Sequence, residues 1–148
     1  MKYIQCPEIY TGKEKSIFIA GGITNCPDWQ AKLVELLKDE KIVLINPRRD
    51  DFDASKSSID EEQISWEFDH IEKADAVSFW FPKETLCPIT LYELGKEISS
   101  GKQIFIGIHP EYKRKKDVEI QSKLANSKVK IVYSLKDLGK EVKSWARK

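Results

Sequence analysis

The chain has 148 residues, 41% hydrophobic and 33% charged, with a formal net charge of +1. That length fits one domain with a real core, and the near-neutral balance offers no electrostatic case for nucleic acid or a membrane surface. The longest apolar run, AVSFWFP, is far shorter than the roughly 20 residues of a membrane span, and the opening MKYIQCPEIY lacks an apolar signal core. A single cytoplasmic domain over 1–148 is the expectation.

In chain order, SIFIAGG reads as a strand, followed by a helix that Pro27 or Asp28 opens and that carries a stripe of Trp29, Leu33, Leu36 and Leu37. KIVLINP is a second strand. The polar, turn-rich DDFDASKSSIDEE is a long loop, and Ser58-x-x-Glu61 then opens a helix with a core stripe of Ile64, Phe68 and Ile71. DAVSFWFP is the third strand, with a helix starting inside CPITLYELGKE. KQIFIGIHP and VKIVYS follow as the fourth and fifth. The last helix, after Ser134, repeats Leu135, Leu138, Val142 and Trp145 at helical spacing. Strands apolar on both faces and separated by helices imply a doubly wound α/β fold, with five parallel strands in the order 2-1-3-4-5.

Ligands of such sheets sit outside the C-terminal ends of the strands. The segments there are AGGITNCPDWQ, NPRRDDF, PKETLCPIT and HPEYKRKKDVEIQ. They supply Asp28, Trp29, Asn46, Arg48, Arg49, Glu84, Thr85, His109 and Tyr112, while Gly21 and Gly22 allow close backbone approach. The glycine pair has neither the G-x-G-x-x-G fingerprint nor the phosphate-loop pattern, so a nicotinamide cofactor or an ATP-driven reaction has no support. Cys6, Cys26 and Cys87 each precede a proline and match no zinc spacing, which reads as reduced thiols in loops. KRKK reads as a solvated face.

Two carboxylates stand out. Glu67 falls on the flank of the Ile64–Ile71 stripe, where it is either a salt-bridge partner of Arg48 or Arg49 or a proton donor with a raised pKa. Glu93 completes a Thr90-x-x-Glu93 capping box, or else is a reactive carboxylate at a helix mouth. With Leu91, Leu94, Gly95 and Ile98 facing the sheet, Glu93 and Glu97 lie opposite and open to solvent. The helix dipole favours the ionised form of Glu93, and a second subunit is needed to close over it.

The ordered blocks IFIAGGITNCPDWQ, INPRRDDF, QISWEFDHIEKADAVSFWFPKETLCPITLYELGKE and GIHPEYKRKKDVEIQ resemble the short branch of the nucleoside 2-deoxyribosyltransferase family, from about Ile17 to Gln121. The resemblance implies a flavodoxin-like fold and transfer of a 2'-deoxyribosyl group between nucleobases, with neither metal nor organic cofactor. It implies that Glu93 is the nucleophile, and that Glu67 is the carboxylate of the preceding helix, where other members carry aspartate. It also implies a further acid, nearest at Glu84, and a contact to the sugar hydroxyls from a neighbouring subunit, for which Asp117 or Gln121 is placed. Partners would then be deoxynucleosides and nucleobases, in a homo-oligomer with its site near a subunit interface. Asp28, Asn46 and Arg49 offer hydrogen bonds to a base edge, Trp29 and Trp80 offer rings, and Thr90, Arg48 or Arg49 could hold a phosphate. Two alternatives stay open. One is an N-glycosidase acting on nucleosides or nucleoside 5'-monophosphates, and the other is a non-catalytic nucleotide-binding module.

Overall fold

A computed structural model of the chain describes residues 1–49 and 57–148, with the side chains of 57–59 outside the description. The elements are β1 (Lys2–Gln5), β2 (Ser16–Gly21), α1 (Trp29–Leu37), β3 (Val43–Asn46), α2 (Ser57–Lys73), β4 (Ala76–Phe81), α3 (Pro88–Glu97), β5 (Gln103–Ile108), α4 (Lys115–Ala125), β6 (Ile131–Val132) and α5 (Leu135–Ala146). The strands form one sheet in the order β1-β3-β2-β4-β5-β6, every pair parallel. Leaving β1 aside, this is the expected order of a doubly wound sheet. β1 itself carries no periodic signal because an edge strand needs little burial, and only Ile4 of its four residues is fully buried.

Strand residues alternate between two apolar layers. Phe18, Ala20, Val77, Phe79 and Phe81 pack with Trp66, Leu94, Ile98 and Val118 from α2, α3 and α4. Ile17, Ile19, Leu44 and Trp80 pack with Trp29, Leu33, Leu138 and Val142 from α1 and α5. Burying a side chain of this size contributes about 1.5–3 kcal/mol, so these two layers are the main reason the alternation folds as it does. The first and last helices start as expected. Asp28 Oδ1 accepts from Ala31 N at 2.9 Å, and Ser134 Oγ accepts from Asp137 N at 3.1 Å. The Ser58 cap expected for α2 lies outside the described side chains.

Two helices are rotated relative to expectation. On α2 the inward residues are Trp66, His70 and Ile71, whereas Ile64 and Phe68 are 66% and 57% exposed. Polar contacts to the N-terminal segment set this rotation. Trp66 Nε1 donates to Glu8 O at 2.8 Å, and His70 Nε2 accepts from Tyr10 N at 2.9 Å while its ring stacks on Trp66 at 3.9 Å. On α3 the buried residues are Thr90, Leu94, Glu97 and Ile98, with Leu91 only partly buried and Gly95 exposed. Glu97 is therefore inside, 3.6 Å from both Lys96 and Lys102, rather than on an open outer face.

The chain leaves β2 for β3 on one side and reaches β4 on the other, so the crevice at the C-terminal ends of β2 and β4 is the topological switch point. The glycine pair builds its floor. A Cβ at Gly21 would meet Trp29 Cζ2 at 2.3 Å and the Trp80 carbonyl oxygen at 2.6 Å, and one at Gly22 would meet Thr85 Cγ2 at 2.6 Å. Gly21→Ala is expected to cost about 3 kcal/mol through overpacking. The melting temperature should fall by roughly 5–10 °C in a thermal scan, and an unchanged value would contradict this packing role.

Candidate active site

Above the glycine floor lies a cleft of about 610 Å³, within the size range of small-molecule sites. Gly21, Gly22, Thr24 and Asn25 come from the loop after β2, Pro47 and Arg49 from the loop after β3, and Thr85 and Cys87 from the loop after β4. α2 contributes Asp60, Gln63, Ile64 and Glu67, at i, i+3, i+4 and i+7, which places all four on one helical side. Thr90 and Glu93, three apart on α3, face them. Asn25 and Cys87, both lining the cleft, are non-glycine residues in the left-handed region, with φ of 57° and 50°. Such conformations are costly for L residues and cluster at ligand sites.

The local start of α3 explains how Glu93 comes to face the cleft. Cys87 is the N-cap and Pro88 the first helical residue, a position where proline's missing N–H costs nothing. The helix thus begins earlier than a Thr90 cap would place it, and Thr90 and Glu93 are both interior helical residues. Tyr112 Oη donates to Leu86 O at 2.8 Å, pinning the preceding loop.

Glu93 is half-buried rather than open. Burial, reinforced by the charges of Glu67 and Glu97 and opposed by Lys96, pushes its carboxyl up to about 8. Burial outweighs the helix dipole, which was expected to keep the group ionised. Burial also raises Glu67, opposed by the hydrogen bond it accepts from Gln63 Nε2 at 2.7 Å. Gln63 Nε2 donates as well to Pro47 O at 2.8 Å, and so ties the Glu67 carboxylate to the loop after β3. Two carboxylates in one low-dielectric cleft resist double ionisation, so the pair holds a proton near neutrality. Such a pair can supply one acid and one nucleophile or base.

Of the residues singled out from sequence, Gly21, Gly22, Arg49, Glu67, Thr90 and Glu93 meet in this cleft. Arg49 pairs with Glu62 at 2.7 Å. Four others stand behind the wall with their polar atoms engaged. Asp28 caps α1, Trp29 Nε1 donates to Gly22 O at 2.8 Å, and Asn46 Nδ2 donates to Tyr3 Oη at 2.8 Å while its Oδ1 accepts from Arg48 N at 3.0 Å. Arg48 donates to Gln30 Oε1 at 3.1 Å. Trp29 and Trp80 are both core rings, buried to 3% and 4% exposure. Glu84, expected as a third acid, is exposed and does not line the cleft. Asp117 and Gln121 line a separate groove between α3 and α4. Sequence reasoning missed Gln63 and Asp60, although their spacing to Glu67 was a readable signal.

The protein is thus a parallel α/β domain with paired, partly buried carboxylates at its switch point, the place where sheets of this class take ligands. The chain belongs to the nucleoside 2-deoxyribosyltransferase-like family, whose sequence pattern matches residues 14–112. That span contains Glu67, Thr90 and Glu93. A search of curated proteins finds no match. Among solved structures, one described as a conserved protein from Enterococcus faecalis V583 superposes with a TM-score of 0.68 at 18% identity, over 90% of this chain and 99% of that one. That likeness is one of fold.

The raised carboxyl of Glu93 has a consequence for stability. Unfolded chain releases this proton near 4.5, while folded chain keeps it until about 8, so the group's contribution to stability falls as pH rises between those values. Glu93→Gln, which mimics the neutral acid, should be nearly neutral for stability at pH ~5 and stabilising by on the order of 2 kcal/mol at pH ~9, allowing for its partial exposure. Thermal scans at both pH values read this directly, and an equal melting shift at the two would contradict the burial of Glu93.

Proposed function

We propose that the protein transfers a 2'-deoxyribosyl group between nucleobases through a covalent glycosyl intermediate on Glu93. The observation that carries this reading is the convergence of Glu93 and Glu67, from α3 and α2, on one cleft inside the family-matched span. A Glu93 carboxylate oxygen bonds to the anomeric carbon as the carbon–nitrogen bond to the base breaks. The bond's electron pair goes to the base nitrogen, which takes the proton held by Glu67. An incoming base nitrogen then attacks the same carbon, the ester bond to Glu93 breaks, and the new base's proton returns to Glu67. Two inversions give net retention, with ping-pong kinetics. The first step needs one proton on the pair, held by Glu67 with Glu93 ionised, and the second needs Glu67 ionised to take the incoming base's proton. Burial raises the proton affinity of both carboxyls, and substrate binding has to leave the proton on Glu67 and Glu93 ionised.

A second copy of the chain is the proposed cover of the α2–α3 rim, where Ile64, Phe68, Ile89 and Tyr92 are exposed beside the cleft. Light scattering at assay concentration should report a dimer or larger, and a strict monomer would remove this part of the account.

The activity itself is tested chromatographically with deoxyinosine or thymidine, with and without adenine. A new deoxynucleoside should form only when adenine is present, and Glu93→Ala should abolish it. Release of free base with no new nucleoside would make the protein an N-glycosidase instead. For the active enzyme, kcat/KM should follow a bell in pH with its alkaline limb near 8, where the pair loses its last proton. A rate still rising above that pH would contradict the shared-proton assignment.

A further inference from the structure

Thr90 carries a hydroxyl that has no hydrogen-bond partner among the described residues. The residue is 4% exposed, lines the cleft, and sits three residues before Glu93 on the same side of α3. Its Oγ1 makes no hydrogen bond among the described residues. Nor is it one of the sealed atoms that lack a hydrogen bond among the described residues, Gln63 Oε1, Ser78 Oγ and Glu97 Oε2, so it opens onto the cleft. A helical threonine ordinarily bonds back to the carbonyl three or four residues earlier. Here neither carbonyl takes a bond from Thr90 Oγ1: Leu86 O accepts from Tyr112 Oη at 2.8 Å and Cys87 O from Leu91 N at 3.0 Å. A buried hydroxyl without a partner is destabilising, and valine would fill the same space without that cost. A ligand that supplies the missing partner explains the threonine.

Stereochemistry says which ligand group that is. In a β-nucleoside the base and the 5'-carbon lie on one face of the sugar ring and the 3'-hydroxyl on the other. A nucleophile displacing the base approaches from the opposite face, so Glu93 attacks the face that bears the 3'-hydroxyl. In 2'-deoxyribose that is the only hydroxyl there. Side chains at i and i+3 stand about 5–6 Å apart at Cβ, close enough to engage neighbouring positions of one ring.

We propose that Thr90 Oγ1 hydrogen-bonds the 3'-hydroxyl of the 2'-deoxyribosyl group and so sets the ring face that Glu93 attacks. This rests on Glu93 being the nucleophile. The test compares wild type, Thr90→Val and Thr90→Ser on a 2'-deoxynucleoside and on the matching 2',3'-dideoxynucleoside. Thr90→Val should lose about tenfold in kcat/KM on the first substrate, while keeping or raising the melting temperature. On the dideoxy substrate it should match wild type within about twofold. If that turnover is too slow to follow, the inhibition constants of the dideoxynucleoside supply the same comparison. Thr90→Ser keeps the hydroxyl and should keep the wild-type preference for the 3'-hydroxyl. Equal losses of Thr90→Val on both substrates, or no loss on either, would overturn the assignment while leaving the transferase reading intact. A wild type that turns over no deoxynucleoside would bring down both.

Discussion

The site depends on how closely the chain passes over itself at Gly21 and Gly22. At the C-terminal end of β2 the backbone lies against Trp29 and the Trp80 carbonyl on one side, and against Thr85, Cys87 and Pro82 on the other. This contact joins the end of β2 to the end of β4, fixes the loop that starts α3, and so sets the direction from which Glu93 enters the cleft. A side chain at either glycine would lift that loop off the sheet. The glycines thus act through packing of protein on protein, while the ligand space lies above them.

Charge is the second constraint. α2 and α3 bring Glu67 and Glu93 into a partly dry cleft, and Glu97, also buried, adds a third carboxylate one turn further along α3. Folding would be easier without them. The protein offsets part of the cost locally, with Lys96 and Lys102 near Glu97 and the Gln63 amide on Glu67. What remains is a raised proton affinity at Glu93, together with a Thr90 hydroxyl that has no hydrogen-bond partner among the described residues. Strain of this kind concentrated around one cleft is the stability cost that the proposed reaction there would explain. The left-handed Asn25 and Cys87 lining the cleft belong to the same pattern.

The sheet was legible in the sequence because buried parallel strands read as continuous apolar runs, and because helical stripes between them force crossover connections. The caps at Asp28 and Ser134 were legible for equally local reasons. The rotation of α2 was not, since Ile64, Phe68 and Ile71 satisfy helical spacing as well as Trp66, His70 and Ile71 do. Contacts between residues 60 apart, such as Tyr10 N with His70, decide between them. Thr90-x-x-Glu93 matched a capping box by pattern alone, whereas Pro88 was the better marker of the helix start. Asp28, Asn46 and Arg48 were rightly placed at the sheet's C-terminal edge, but a sequence does not reveal that neighbouring groups already occupy their hydrogen-bonding atoms. Gln63 was readable from its spacing four residues before Glu67, and its bond to that carboxylate shows what the spacing is for.

The central claim is that Glu93 forms a bond to the sugar. Mass spectrometry of the intact protein, quenched in acid shortly after mixing with a 2'-deoxynucleoside and no acceptor base, tests it most directly. The account predicts a fraction of chains heavier by one 2'-deoxyribosyl group, with the adduct mapping to the peptide that holds Glu93. An adduct on another residue, or steady turnover with the protein unmodified at every quench time, would contradict it.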